Sequence, residues 1–410
     1  MLTSEENELL CRVGLGTPGG EYLRRYWQPV GLSTEVTPGS KPLQVRVLGE
    51  DLVLFRDQAS RPGLLGLRCS HRLTSLAYGR VEDGGLRCPF HGWVYDVEGH
   101  CLEQPAEPVS FADRIRHPSY PCQDLGGLIF AYMGPKELMP LLPNYEVLVR
   151  EDGTRQNRYW PMDGNYLQHV EGALDTVHFS YLHQDNWSQV KHKLSQLPKP
   201  QLEFKETEYG IWQKSWLPSV QVDRSFWVYT YFFFPAGFLR VQDSLAGSQG
   251  RVGPEGGGDV NKFLSFYVPI DDTHVRRYQA AFAPFSTHDK PYEWGDRMNF
   301  LHASAENDYF RDYDNVDTIS GLRPVTYQTP EGRINGFGNQ DIMVNESQGP
   351  IVERPLEHLS PHDHVLAAMR TMLLQAVRDV QEGRDPKHII RDPEENEIVY
   401  IRGEDALEAV

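Results

Sequence analysis

The apolar positions of this chain change their period twice. Glu21 to Trp27 has helical spacing, and Pro29 and Pro38 punctuate the stretch after it, so residues 1–40 read as a short helical lead. From Leu43 to about Pro140 the apolar residues fall into short runs broken by turn residues. Val45-Arg46-Val47-Leu48 and Leu52-Val53-Leu54-Phe55 flank Gly49-Glu50-Asp51, which predicts a hairpin turning at those three residues. Leu128–Tyr132 predicts another strand, and Gly84-Gly85 and Glu98-Gly99 predict turns. Further on, Asn165 to Leu182 has helical character, whereas Ser225–Phe234 and Lys262–Pro269 read as strands. Asp363–Gln381 predicts a long amphipathic helix, because Leu366, Met369, Leu373, Val377 and Val380 recur every three or four residues. The glycine-rich stretch Gly247–Asp259 reads as a surface loop. This order predicts an α+β chain: the lead packed on the last domain, an all-β domain over 41–145, and an α+β domain over 146–410 with an antiparallel sheet and helices.

Composition narrows the class. Forty basic against 57 acidic residues leave a net charge of −17, which argues against nucleic acid or an anionic membrane as a general partner. The opening MLTSEENELL lacks a basic-then-apolar leader pattern, and the most apolar stretch, Trp227 to Leu239, is too short to span a bilayer. Five cysteines with no sign of export make a disulfide framework a poor reading. The expectation is a cytoplasmic chain whose cysteines are free for metals.

The chemistry concentrates in two places. The first is Cys69-Ser70-His71, sixteen intervening residues, then Cys88-Pro89-Phe90-His91. Two thiolates and two imidazoles arrive as matched pairs, each on its own loop. In a Rieske centre two Cys hold one iron and two His hold the other, so each loop must give one ligand to each iron. Zinc could use the same residue types, but finger spacings usually group Cys with Cys and His with His. A redox thiol pair is excluded, since neither cysteine has another within three residues.

The run from Cys69 to Asp96, with its His-Gly-Trp after the second histidine, resembles the cluster-binding segment of Rieske non-haem iron oxygenases. Respiratory-type Rieske proteins carry an extra cysteine beside each ligand loop, and Cys101 and Cys122 lie too far along the chain to match that pattern. One departure is visible: where the family often has Gly-Ala after His-Arg, this chain has Leu73-Thr74, and a side chain there could alter the hydrogen bonds to the cluster sulfurs.

The second place is the segment from Asn165 to His183. Glu171, Asp175 and His178 stand at i, i+4 and i+7, which puts them on one face of a continuous helix, and His183 reaches the same spot if the helix ends or bulges between the histidines. Two imidazoles and a carboxylate on one face of an iron leave positions open for dioxygen and substrate. This segment resembles the family's iron-binding helix, with His178 and His183 as iron ligands and His169 and Glu171 as structural neighbours. Asn339 to Ile351 resembles a segment of phthalate dioxygenase-like oxygenases, in which an acidic residue at the position of Asp341 completes the triad; Glu346 reads as a helix-end group.

The resemblance covers almost the whole chain and implies a helix-grip-like catalytic domain, one [2Fe–2S] cluster and one mononuclear Fe(II) per chain. It also implies a head-to-tail homotrimer in which Asp175 bridges His91 of one subunit and His178 of the next. Electrons would come from a flavin-containing NAD(P)H reductase, with or without a ferredoxin, since no dinucleotide fingerprint occurs here. The implied reaction is hydroxylation or O- or N-demethylation of a small aromatic substrate with O2. The competing class is an electron carrier or metal-dependent binding protein that has kept the fold without turnover. Arg68, Arg72, Arg80 and Arg87 cluster around the cluster loops, where either some of them form a basic patch that docks an acidic ferredoxin, reductase domain or neighbouring subunit, or they pack the loops; the aromatic stretch Ser225–Phe238 reads as core or as pocket lining.

Overall fold

The computed structural model of the chain describes residues 2–82, 84–183, 199–217, 226–242, 262–285, 300–311 and 327–399. The predicted loop Gly247–Asp259 and residue Ser225 lie outside them.

The first part is built from three small antiparallel sheets. Leu43–Val47, Glu50–Arg56, Pro62–Gly66 and Ser119–Tyr120 form one, and Arg80–Glu82, Gly85–Arg87, Val94–Tyr95 and Cys101–Glu103 form a second. In the third, Leu128–Tyr132 lies between Trp27–Leu32 and Cys122–Leu125. The predicted hairpin is present, but Val47 pairs with Glu50, so the turn is Leu48-Gly49 and not Gly49-Glu50-Asp51. Both turn residues have positive φ, +50° and +81°, the two-residue geometry that matches strand twist. The turn amides donate to Pro269 O and Ile270 O, which joins this sheet to the second part of the chain.

The helical lead needs correction. The helices are Ser4–Cys11 and Pro18–Leu23, and the helix predicted over Glu21–Trp27 stops at Leu23. Trp27 instead opens a strand, with its indole N–H on Pro140 O, because Pro29 lacks the N–H and the space an interior helical position needs. The helix Ser4–Cys11 went unread, although Thr3 and Glu6 form a capping box that the sequence displays.

The second part centres on a seven-stranded antiparallel sheet in the spatial order Gly153–Asp163, His274–Pro284, Lys262–Asp271, Gly237–Gln242, Phe226–Phe233, Gly210–Leu217, Gln201–Glu206. The helix Tyr166–Leu174 packs on it and against the helix Gly336–Glu346, a helix-grip-like arrangement. The long C-terminal helix is His364–Gln381, with Asp363 at its cap, and its periodic residues Met369, Leu373 and Val377 are fully buried. One continuous core joins the lead, the outer sheets and this domain, while a second, smaller core surrounds Cys69 and Cys88. No helix among the described residues is long and apolar enough to cross a membrane.

Candidate functional site

The two Cys/His loops close in the same way. Leu73 N–H donates to Cys69 O at 2.9 Å and Gly92 N–H donates to Cys88 O at 3.2 Å, each four residues past its cysteine. Both donors have positive φ, +61° at Leu73 and +76° at Gly92. The loops bring the imidazoles of His71 and His91 to a centroid separation of 4.5 Å, and His71 stacks on Trp93 at 4.7 Å. Cys88 lies against Cys69; burial first, then this second sulfur, pushes the Cys88 thiol pKa up. Tyr95 OH lies 3.2 Å from the Cys69 sulfur. His117 donates from Nε2 to Gly66 O at 2.7 Å, so its Nδ1 accepts from Ser70 at 2.8 Å and steadies the first loop.

Nδ1 of His71 and of His91 is buried without a hydrogen-bond partner among the described residues. A buried orphan polar atom costs roughly 1–3 kcal/mol. Two such nitrogens beside two buried thiols suit a cluster that takes all four as ligands.

In the second donor set, the helix Tyr166–Leu174 ends before any of the candidate ligands. Asp175 is its C-cap, and Val177–Ser180 continues as a 3-10 turn. Glu171, Asp175 and His178 therefore do not share one helical face. Glu171 is buried away from the donors and accepts from Arg354 at 2.8 Å and Arg370 at 2.6 Å. His169 is also structural, with Nε2 on Asp163 O at 2.7 Å.

His178, His183 and Asp341 each present one ligand atom, all within 4.8 Å of one another. Asp341 Oδ1 lies 2.9 Å from His183 Nε2 and 3.4 Å from His178 Nε2. The opposite ring nitrogens are held from behind: His183 Nδ1 meets Gln340 Oε1 at 2.6 Å, and His178 Nδ1 lies 3.5 Å from Asp175. Val177 N–H in turn donates to Asp175 at 2.8 Å. Phe337 stacks on His183 at 3.6 Å, and Phe179 packs edge-to-face against Phe337 and both histidines. Burial alone would raise the Asp341 carboxyl, but His183 and His178 hold it well below the usual carboxylate range. Burial would lower His178, yet Asp175 and Asp341 outweigh it and raise it to about 9. Two imidazoles set among two carboxylates form a donor set that favours a cation.

Glu346 ends the same helix but points elsewhere, accepting from Asp163 N–H at 3.0 Å, and burial raises its carboxyl to about 7. Gln340, Phe337, Tyr95 and His117 were not read from sequence as parts of these sites. Gln340 adjoins Asp341, but nothing local distinguishes it from any other helical glutamine. The expected basic patch is reduced: Arg80 and Arg87 pair with Glu82, and Arg87 also with Glu103. That leaves only Arg68 and Arg72 of the four exposed and without a carboxylate among the described residues.

The architecture defines the class: a small β domain with paired Cys/His loops, joined to a helix-on-sheet domain. Residues 26–121 match the family model of the Rieske [2Fe-2S] domain, and residues 257–395 match that of the LigXa C-terminal domain like family. The chain is 34% identical to the phenoxybenzoate dioxygenase subunit alpha of Ectopseudomonas oleovorans, over 92% of this chain and 86% of that one. It is 31% identical to the 5,5'-dehydrodivanillate O-demethylase oxygenase subunit of Sphingobium sp., over 98% of this chain and 86% of that one. Dicamba monooxygenase bound to dicamba shares the fold, with a TM-score of 0.64 at 17% identity over 88% of this chain and 99% of that one. The chain belongs to the Rieske oxygenase family, as an oxygenase subunit.

Proposed function

We propose that this chain oxidises a small aromatic substrate with dioxygen at a mononuclear Fe(II) held by His178, His183 and Asp341. In this reading Cys69, His71, Cys88 and His91 hold the [2Fe–2S] cluster. The observation that carries it is the convergence of two Nε2 atoms and one carboxylate oxygen, with the opposite ring nitrogens engaged by Asp175 and Gln340. When loaded, the two centres supply dioxygen activation and the electrons for it. The chain's own residues do the rest. Asp175 and Gln340 fix the imidazole orientations, so that Nε2 of each faces the metal position. Phe337 and Phe179 exclude water from one side. The aromatic substrates named for the relatives support a substrate of that class.

The same reading divides the chain at 145/146, with 146–410 as the catalytic domain. It groups the strand Trp27–Leu32 with the Rieske domain, so the helical lead ends at Tyr26 and not at residue 40. The helices of that lead pack on the catalytic domain. Asp175 bridges to His91 of a neighbouring subunit in a homotrimer, a role supported by a side chain that stays about one-third exposed in the single chain. Electrons enter from a flavin-containing NAD(P)H reductase, directly or through a ferredoxin. The protein works in the cytoplasm, in keeping with its five free cysteines.

Iron analysis of variants tests the assignment. Asp341→Ala should lose the mononuclear iron and turnover while keeping the red cluster chromophore, and Glu346→Ala should keep most of its iron. The reverse pattern would overturn the choice of carboxylate. Oxygen uptake across a panel of aromatic acids and methoxy-aromatics would identify the substrate.

A further inference from the structure

His117 is a buried imidazole outside the four cluster donors, and both of its nitrogens are engaged. It is 3% exposed and lies just before the short strand Ser119–Tyr120. Its backbone N–H donates to Gly99 O at 2.7 Å, which fixes the main chain beneath the ring. The ring is pinned at two edges: Nε2 donates to Gly66 O at 2.7 Å, and Nδ1 accepts from Ser70 Oγ at 2.8 Å. Ser70 stands between Cys69 and His71, and Gly66 ends the strand that leads into their loop. A donor on one nitrogen and an acceptor on the other define a single neutral tautomer. Burial lowers the imidazole pKa and so keeps the ring neutral.

Tyr95 lies against the face of this anchored ring. The two centroids are 4.6 Å apart, with 31° between the planes, and Tyr95 is fully buried. Its hydroxyl is 3.2 Å from Cys69 Sγ. A thiolate on iron accepts hydrogen bonds and cannot give them, so beside a bound cluster the phenol is the donor. Such a bond tightens as the cluster gains an electron, because the added charge falls partly on its sulfurs. It therefore raises the reduction potential. Its strength depends on angle as well as distance, and small rotations of the Tyr95 side chain change both. The face of His117 blocks that rotation on one side.

We propose that His117 is a positioning residue for the reduction potential of the cluster: its doubly anchored ring holds the Tyr95 phenol on the Cys69 sulfur. This rests on the reading of Cys69 as a cluster ligand. The edges of the imidazole brace the first Cys/His loop through Ser70, and its face sets the potential through Tyr95. The two roles use different parts of one side chain and can be separated by substitution.

The test is a dithionite redox titration of the purified protein followed by visible absorption, beside the temperature at which the cluster bleaches. His117→Gln keeps a donor and an acceptor but has no ring face. It should bleach near the wild-type temperature, yet at a fixed potential its oxidised-to-reduced ratio should rise about threefold or more, as a weakened hydrogen bond to a charged acceptor implies. On this scale a tenfold ratio is about 59 mV for one electron. His117→Phe keeps the face and loses both edge contacts; it should bleach at a lower temperature while holding the ratio within about twofold of wild type. Tyr95→Phe should show the full loss, about tenfold, and adding His117→Gln to it should change nothing further. An unmoved midpoint in His117→Gln would overturn the proposal, as would a midpoint that simply follows bleaching temperature across the two His117 variants. A further fall on adding His117→Gln to Tyr95→Phe would also overturn it. If His117→Phe assembles no cluster, the comparison of His117→Gln with and without Tyr95→Phe decides alone. Retention of the red chromophore in a Cys69→Ala variant would instead remove the cluster-ligand reading, whatever the midpoints show.

Discussion

Leu73 occupies a backbone position that its side chain does not suit. At φ +61° its amide closes the first Cys/His loop on Cys69 O, the job that Gly92 does in the second loop. A left-handed conformation costs an L-residue with a Cβ roughly 1–2 kcal/mol, and the Leu73 side chain regains little, being 67% exposed. Glycine there would remove the strain and give back part of the gain as unfolded-state entropy. Leu73→Gly should therefore stabilise the cluster domain by about 1 kcal/mol, seen as a higher temperature for bleaching of the visible absorption. A lower bleaching temperature would mean that the leucine packs usefully against a partner. The same exposure bears on the departure at Leu73-Thr74: the Leu73 side chain stands in solvent, away from the buried thiols.

At the scale of elements, the donor set depends on how closely two helices approach. A Cβ added at Gly172 would lie 2.4 Å from Asn345 Oδ1. Asn345 is itself tied in: its Nδ2 donates to Asp341 O at 2.9 Å, and its carbonyl accepts from Gln168 at 2.9 Å. Widening this contact would move Asp341 away from the histidines. Gly172→Val should cost about 1–3 kcal/mol by overpacking and lower the mononuclear iron content while leaving two cluster irons per chain. Full iron occupancy in that variant would show that the helices do not set the donor spacing. The helical character of Asn165–Leu182 was legible, but not the stop at Leu174. That stop depends on Asp175 capping its own turn through Val177 N–H and on Thr176 reaching Ser215, a residue on a distant strand.

Across the whole molecule, Glu171 is a buried junction. It accepts from Arg354 and Arg370, and Arg354 also donates to Asn7 in the first helix at 2.9 Å. Burial would raise the Glu171 carboxyl, but the two arginines override it and hold it below its ordinary 4.5. A carboxylate depressed in the folded state contributes its full stability above the unfolded value and loses it as pH falls toward the folded value. Stability should thus decline with acid from about pH 4.5 downward. Glu171→Gln should cost about 3–5 kcal/mol at pH 7 and flatten that acid slope, measured by chemical denaturation at several pH values. An unchanged slope would assign the acid sensitivity to other carboxylates.

Short covalent spacing made several features readable from the sequence alone. Cys69 with His71, and Cys88 with His91, lie within single loops, so their partnership needs no knowledge of the fold. The heptad-like run of the last helix and the strands Phe226–Phe233 and Lys262–Asp271 follow from local periodicity. Tertiary structure decided what local periodicity leaves open. Asp341 and Glu346 are both acidic and share one helix, and only the packing of that helix turns the first toward the histidines and the second toward Asp163. Glu171 reads as a structural group on one helical face with Asp175 and His178; the helix ends before it can set that face, and two arginines from the C-terminal region enclose the carboxylate. Trp160, Tyr267 and Arg277 are neighbours only through strand register, across more than a hundred residues of chain. A neighbourhood assembled by strand register is defined in space, and no local sequence pattern carries that information.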